Sequence, residues 1–88
     1  MSNAIKIIDE LLPGAFLIKG TRFEDERGLF VKTYHEDQLH ALGINFNMRE
    51  EFYSVSKKGV IRGMHFQLPP FDHKKIVYCL SGEVFDVL

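Results

Sequence analysis

The chain has one cysteine, no tryptophan and only three prolines among its 88 residues. Each scarcity excludes something. A lone Cys79 cannot close an internal disulfide, and no cysteine zinc site can be drawn. It sits in the apolar run Ile76 to Leu80, where a buried small hydrophobe is expected. No stretch approaches the ~18 apolar residues of a transmembrane helix. The start, Met1-Ser2-Asn3-Ala4, passes at once into mixed polar sequence, unlike a signal peptide. A cytoplasmic location is therefore the default expectation. Charge of one sign is also lacking: eleven Lys and Arg against twelve Asp and Glu leave a net charge of −1. That balance gives no electrostatic reason to expect nucleic acid or an anionic membrane as partner.

What remains is ordinary for a globular protein: 45% hydrophobic and 26% charged residues. Eight Phe and three Tyr supply large apolar groups. The length allows one small domain whose stability would be marginal without association. Ala15-Phe16-Leu17-Ile18 reads as a short strand ended by Lys19-Gly20. Glu24 to Gly28 reads as a polar turn, and Leu29 to Tyr34 as a second strand. Glu36 to Leu42 is the one plausible helix, with Leu39 and Leu42 on one face and Gly43 suited to a left-handed stop.

From Asn47 onward the texture is strand throughout. Phe52 to Ser56, Val60 to Phe66, Lys74 to Leu80 and Glu83 to Leu88 are separated by Lys57-Lys58-Gly59, Pro69-Pro70 and Ser81-Gly82. Two strands around Ser81-Gly82 give a hairpin signal. Several short strands at near-regular spacing predict an antiparallel sandwich or barrel. The chain stops inside the apolar run at Val87-Leu88, which predicts either a longer protein or an edge covered by another copy.

The densest chemical cluster is Arg62-Gly63-Met64-His65-Phe66-Gln67. Strand alternation sends Gly63, His65 and Gln67 to one face and Arg62, Met64 and Phe66 to the other. Gly63 leaves room for another group near the backbone. An imidazole with its ordinary pKa near ~6.5 can accept a proton at neutral pH, as a base next to a carbonyl must. His65 reads on its own pattern either as that base or as a structural histidine within a barrel. Of Lys74 and Lys75, alternation turns one inward, to stabilise an oxyanion or phosphate, or both are solvated at a strand end. Arg27 could grip a phosphate through its planar fork, with Phe30 stacked on a base. The plainer alternative is a charged surface turn beside a core Phe.

The four histidines offer no metal spacing. His35 and His40 lie five apart, and Pro69-Pro70 separates His65 from His73. No glycine-rich phosphate loop is present, and Ser54 and Ser56 alone do not suggest a triad.

Three blocks together resemble the dTDP-4-dehydrorhamnose 3,5-epimerase family. They are Ser54-x-Ser56-x-x-Gly59-Val60-Ile61-Arg62-Gly63-Met64-His65-Phe66-Gln67-x-Pro69-Pro70, Lys75-Ile76-Val77, and Gly82 to Val87. Asp25-x-Arg27-Gly28-x-Phe30 resembles that family's N-terminal motif, so the likeness runs from about residue 13 to 88. The resemblance implies an all-β fold, a partial cupin-like jelly roll of antiparallel strands with one short helix. Residues 1–88 would be the N-terminal part of a single epimerase domain. It implies an isomerase that needs no metal or cofactor and inverts C3 and C5 of a 4-keto-6-deoxy sugar nucleotide, as a homodimer with exchanged strands. His65 would remove the protons, and Lys75 would sit near the enolate oxygen. Arg62 and Gln67 would bind substrate, and Arg27 and Phe30 would contact its nucleotide diphosphate. The family's catalytic Tyr, second His and base-orienting Asp lie in its C-terminal half, so these residues alone are expected to be inactive. The alternative is a non-catalytic cupin-like module that binds nucleotide sugars or a partner.

Three positions depart from the family pattern. Lys32 stands where Glu is usual, Glu50-Glu51-Phe52 replaces Gln-x-Asn, and His73 replaces Gln. All three touch nucleotide or sugar contacts, so a base other than thymine or a different sugar is open.

Overall fold

The computed structural model describes residues 4–88, which fall into two compact units divided between Glu51 and Phe52. Its regular structure is antiparallel strand with one short helix, the all-β class expected. The first unit holds all of it. Strands β1 (Lys6–Leu12) and β2 (Ala15–Lys19) form one hairpin, and β3 (Thr21–Asp25) and β4 (Gly28–Lys32) form another. Helix α1 spans Glu36–Ala41.

Pro13-Gly14 closes the first hairpin, with Leu12 opposite Ala15. The register slips twice along β1, between Ile7 and Asp9 and between Glu10 and Leu12. Each slip interrupts the two-residue alternation. The second hairpin is regular and turns at Glu26-Arg27, with Asp25 opposite Gly28. Phe23 and Phe30 are direct partners across it, with ring centroids 6.3 Å apart and tilted by 48°. Such cross-strand aromatic pairs help hold a two-stranded ladder together.

Helix α1 is six residues long, too short to persist without packing. Its start is fixed by His35, whose Nδ1 accepts the Gln38 N–H at 3.2 Å. Its end follows the Schellman pattern. The Gly43 N–H donates to the His40 carbonyl and the Ile44 N–H to Leu39, both at 2.9 Å. Gly43 has φ +80°, the left-handed geometry expected of the stop.

The centre of the first unit is small. Leu39 is 1% exposed and Ile5 3% exposed, with Thr21 also buried. The Gln38 side-chain oxygen accepts from the Ile5 N–H at 2.9 Å and from the Thr21 hydroxyl at 3.5 Å. One helix residue therefore holds both the entry to β1 and the first residue of β3. Tyr34 closes the far side of the helix region, packing edge-on against Phe46 and donating to its carbonyl at 3.3 Å. With so few buried groups, Leu39→Ala should cost about 2–5 kcal/mol, the usual range for a buried Leu. The expected result is loss of the α1 helical signal and of amide protection in β1 and β3; unchanged protection would refute it.

In the second unit, turns close at Lys57–Val60 and Leu68–Phe71 through hydrogen bonds of 3.2 and 2.9 Å. The segments between them carry no ladder among the described residues. This departs from the strands and the Ser81-Gly82 hairpin expected there. The turn chemistry is present, but β-propensity reflects packing against a neighbouring strand, and here the large apolar side chains are exposed. Cys79 is likewise exposed rather than buried, and its thiol donates to the Ser81 carbonyl at 3.3 Å.

Candidate active site

The turn Leu68–Phe71 assembles the site. The Phe71 N–H reaches back to the Leu68 carbonyl, with Pro69-Pro70 between them in a cis peptide. A four-residue reversal of this kind folds the chain after it against the chain before it. Residues 65–67 and 72–75 thereby flank one shallow recess of about 290 Å³, lined by His65, Phe66, Gln67, Asp72, His73 and Lys75.

Three residues singled out from sequence, His65, Gln67 and Lys75, thus meet on one concave surface. Phe66 joins them although alternation sent it to the opposite face. Upstream, Gly63 has φ +133°, a backbone region that side-chain-bearing residues rarely enter. This local break in the extended geometry removes the strict alternation on which the face assignment rested.

Asp72 was not singled out from sequence. The signal for it was the Pro-Pro break, because a tight reversal there brings the first residues after it alongside His65. His73 was noted only as a departure and as a poor metal ligand. In the structure its Nδ1 lies 3.2 Å from the Phe71 carbonyl. The recess offers acceptors at Asp72, a donor at Lys75 and an amide at Gln67 that does both. Among the described residues, no cluster of three His, Cys, Asp or Glu is gathered as a metal would require.

Arg62 does not line the recess. Its Nε donates to the Ser56 hydroxyl at 2.9 Å across the Lys57–Val60 turn. Ser56 therefore serves as a positioning contact for the guanidinium, whose remaining N–H groups are donors suited to a carboxylate or phosphate.

Arg27 and Phe30 belong to the first unit. Arg27 folds over its own turn onto Asp25, with Nη2 at 2.7 Å and Nε at 3.1 Å from Oδ2. Its N–H also reaches Asp25 Oδ1 at 2.9 Å. The Arg27 guanidinium and N–H hold the Asp25 carboxyl below the ordinary carboxylate range, and Asp25 raises Arg27 in turn. A depressed carboxylate adds stability above its unfolded pKa and loses it as pH falls through the folded value. Because the pair is fully exposed, solvent screens it and the contribution is small. Phe30 pairs with Phe23 and keeps more than half its surface exposed, so one side of the ring is open to contact.

Comparison with known proteins bears on the family. The model of the dTDP-4-dehydrorhamnose 3,5-epimerase family matches residues 9–88. A Shigella flexneri dTDP-4-dehydrorhamnose 3,5-epimerase is 36% identical over 84 residues, which is 94% of this chain and 46% of that protein. The Streptomyces griseus enzyme of the same name is 46% identical over 77 residues, 85% of this chain and 38% of its own length. A dTDP-4-dehydrorhamnose 3-epimerase of Streptomyces niveus is 37% identical over 78 residues, covering 88% of this chain and 38% of that protein. The chain thus spans less than half the length of these relatives. No solved structure matches. No helix among the described residues is long and apolar enough to cross a membrane. The antiparallel all-β structure agrees with the cupin-like jelly roll that the resemblance implies, and a family match over residues 9–88 decides the relationship: the chain belongs to the dTDP-4-dehydrorhamnose 3,5-epimerase family.

Proposed function

We propose that this chain supplies the proton-abstracting half of a sugar-nucleotide epimerase. The observation that carries the reading is the meeting of His65 with Lys75 and Gln67 in one recess. The substrate would be a nucleoside-diphosphate 4-keto-6-deoxy sugar. Its C3 and C5 protons are acidic because the C4 ketone takes up the carbanion charge as an enolate. His65 removes such a proton, Lys75 places positive charge beside the forming oxyanion, and Gln67 hydrogen-bonds the sugar. Reprotonation from the opposite face inverts the centre. Arg62 binds the substrate, and Arg27 with Phe30 meets the nucleotide diphosphate. To grip a phosphate, Arg27 would exchange Asp25 for it, a like-for-like swap of one anion for another.

In this reading residues 1–88 are the N-terminal part of one cupin-like domain, which works as a strand-exchanged homodimer in the cytoplasm, without metal or cofactor. A base needs a partner that fixes its tautomer and stabilises its charged form. In this reading that partner, and the family's catalytic tyrosine, lie outside these residues. The 88 residues alone should therefore leave C3 and C5 of the 4-keto substrate unexchanged in D₂O, as read by proton NMR. Brisk exchange by this chain would overturn the division of labour. In the completed protein, the same assay tells exchange at C3 alone from exchange at both carbons. The relatives' names make that distinction relevant, since one is a 3-epimerase and the others 3,5-epimerases.

A further inference from the structure

We infer that His73 is a sugar-contacting specificity residue: its ring is held so that Nε2 accepts a hydrogen bond from a hexose hydroxyl in the His65 recess. The inference rests on the epimerase reading and deepens it: the resemblance marks His73 only as a departure near nucleotide or sugar contacts, and the structure gives it a defined role.

Two observations carry it. First, His73 lines the same recess as His65, Gln67 and Lys75. Second, His73 Nδ1 stands 3.2 Å from the Phe71 carbonyl oxygen. A carbonyl oxygen only accepts, so Nδ1 must carry the proton. In a neutral imidazole the other nitrogen, Nε2, is then an acceptor. The turn that closes at Phe71 thus sets the tautomer of the residue two places on.

The chemistry of the neighbours selects the ligand. Asp72, beside His73, is an acceptor when ionised, so this side of the recess repels a phosphate and suits a group that donates. Lys75 only donates. A sugar hydroxyl does both, and can give its proton to His73 Nε2 while its oxygen faces Lys75. The 72–75 side of the recess is on this argument the sugar subsite rather than the diphosphate subsite.

The test uses the whole 88-residue chain. Long-range proton–nitrogen NMR on the unmodified chain should show His73 with its proton on Nδ1; a proton on Nε2 would overturn the inference. Titration with dTDP-D-glucose and with dTDP then reads the contact. His73→Phe should weaken dTDP-D-glucose about five- to tenfold, the value of one ordinary hydrogen bond, and leave dTDP unchanged. His73→Gln, whose amide oxygen can accept, should restore most of the loss. Equal weakening of both ligands, or of neither, refutes the assignment. If dTDP-D-glucose moves the His65 and Lys75 signals but not those of His73, this inference alone falls. If it moves none of them, the epimerase reading falls as well. The tautomer measurement stands even where His73→Phe fails to fold.

Discussion

Joined to the C-terminal half of the Shigella flexneri relative, residues 1–88 should exchange the C3 and C5 protons of the 4-keto sugar nucleotide, and His65→Ala should slow that exchange about 10²- to 10⁴-fold, the usual contribution of a positioned general base. Substrate affinity should change little, because the proton leaves only as the transition state is reached. A loss confined to kcat marks a group that acts there, whereas a loss confined to KM marks ground-state binding. Lys75→Met keeps the bulk and removes the charge, and should cost about 10²- to 10³-fold in kcat, as for one lost oxyanion contact. The two losses should not add, since base and oxyanion partner serve one transition state. The same pair separates an enzyme from a non-catalytic module. A module would bind the nucleotide sugar, show no exchange when completed, and be indifferent to His65→Ala in turnover.

Lys75 rather than Lys74 carries this expectation because Lys75 lines the recess with His65. Sequence alternation allowed only one of the pair to point inward, and the family pattern indicated Lys75. The recess gives a local reason: the Leu68–Phe71 reversal sets the distance along the returning chain at which a long cationic side chain lies beside His65.

The legible parts of the fold share one property: their signals are local. Helix α1 was read to within a residue, since Leu39 marks its buried face and Gly43 its stop. Strands β2 and β4 were read to within about two residues from short apolar runs. Strand β1 was not, because Lys6–Leu12 slips register twice and so never shows a sustained two-residue alternation. Strand β3 was hidden for another reason. Thr21–Asp25 is polar, and only Phe23 facing Phe30 across the hairpin shows that it pairs. That is information about a partner, which a single segment does not hold.

The site divides in the same way. His65 stood out by residue type and spacing, and Gln67 and Lys75 through the family resemblance, while Asp72 joined them only through the geometry of the Pro69-Pro70 turn. Arg62 was read as a substrate ligand, but its hold on Ser56 belongs to a turn whose closure the sequence marked only as Lys57-Lys58-Gly59. Residues 52–88 show the limit most clearly. Their composition is that of strands, yet a strand is defined by its neighbour, and among the described residues these segments have none.

That last feature predicts association. Phe52, Val55, Ile61, Phe66, Leu80 and Phe85 are each at least 79% exposed. Burying one such side chain contributes about 1.5–3 kcal/mol, so six contribute roughly 9–18 kcal/mol before costs. Bringing two chains together costs an estimated 4–15 kcal/mol, and ordering side chains adds to it. The balance favours association at ordinary laboratory concentrations, and the backbone of segments that carry no ladder adds a directional drive toward strand pairing. A symmetric pairing of identical segments is the simplest closed solution, consistent with the strand-exchanged homodimer proposed above. Light scattering across a concentration series should show the mass rising to at least twice the chain mass of 10.2 kDa. Amides of residues 60–66 and 75–80 should gain hydrogen-exchange protection over the same range, while those of β1 to β4 stay protected throughout. Ile61→Glu should shift the transition to higher concentration by at least tenfold, because a charge buried at a strand interface costs more than the roughly 1.4 kcal/mol which that factor represents. A chain that stays monomeric at every concentration, with exposed and fully exchanging segments, would show that these apolar side chains are not a pairing surface.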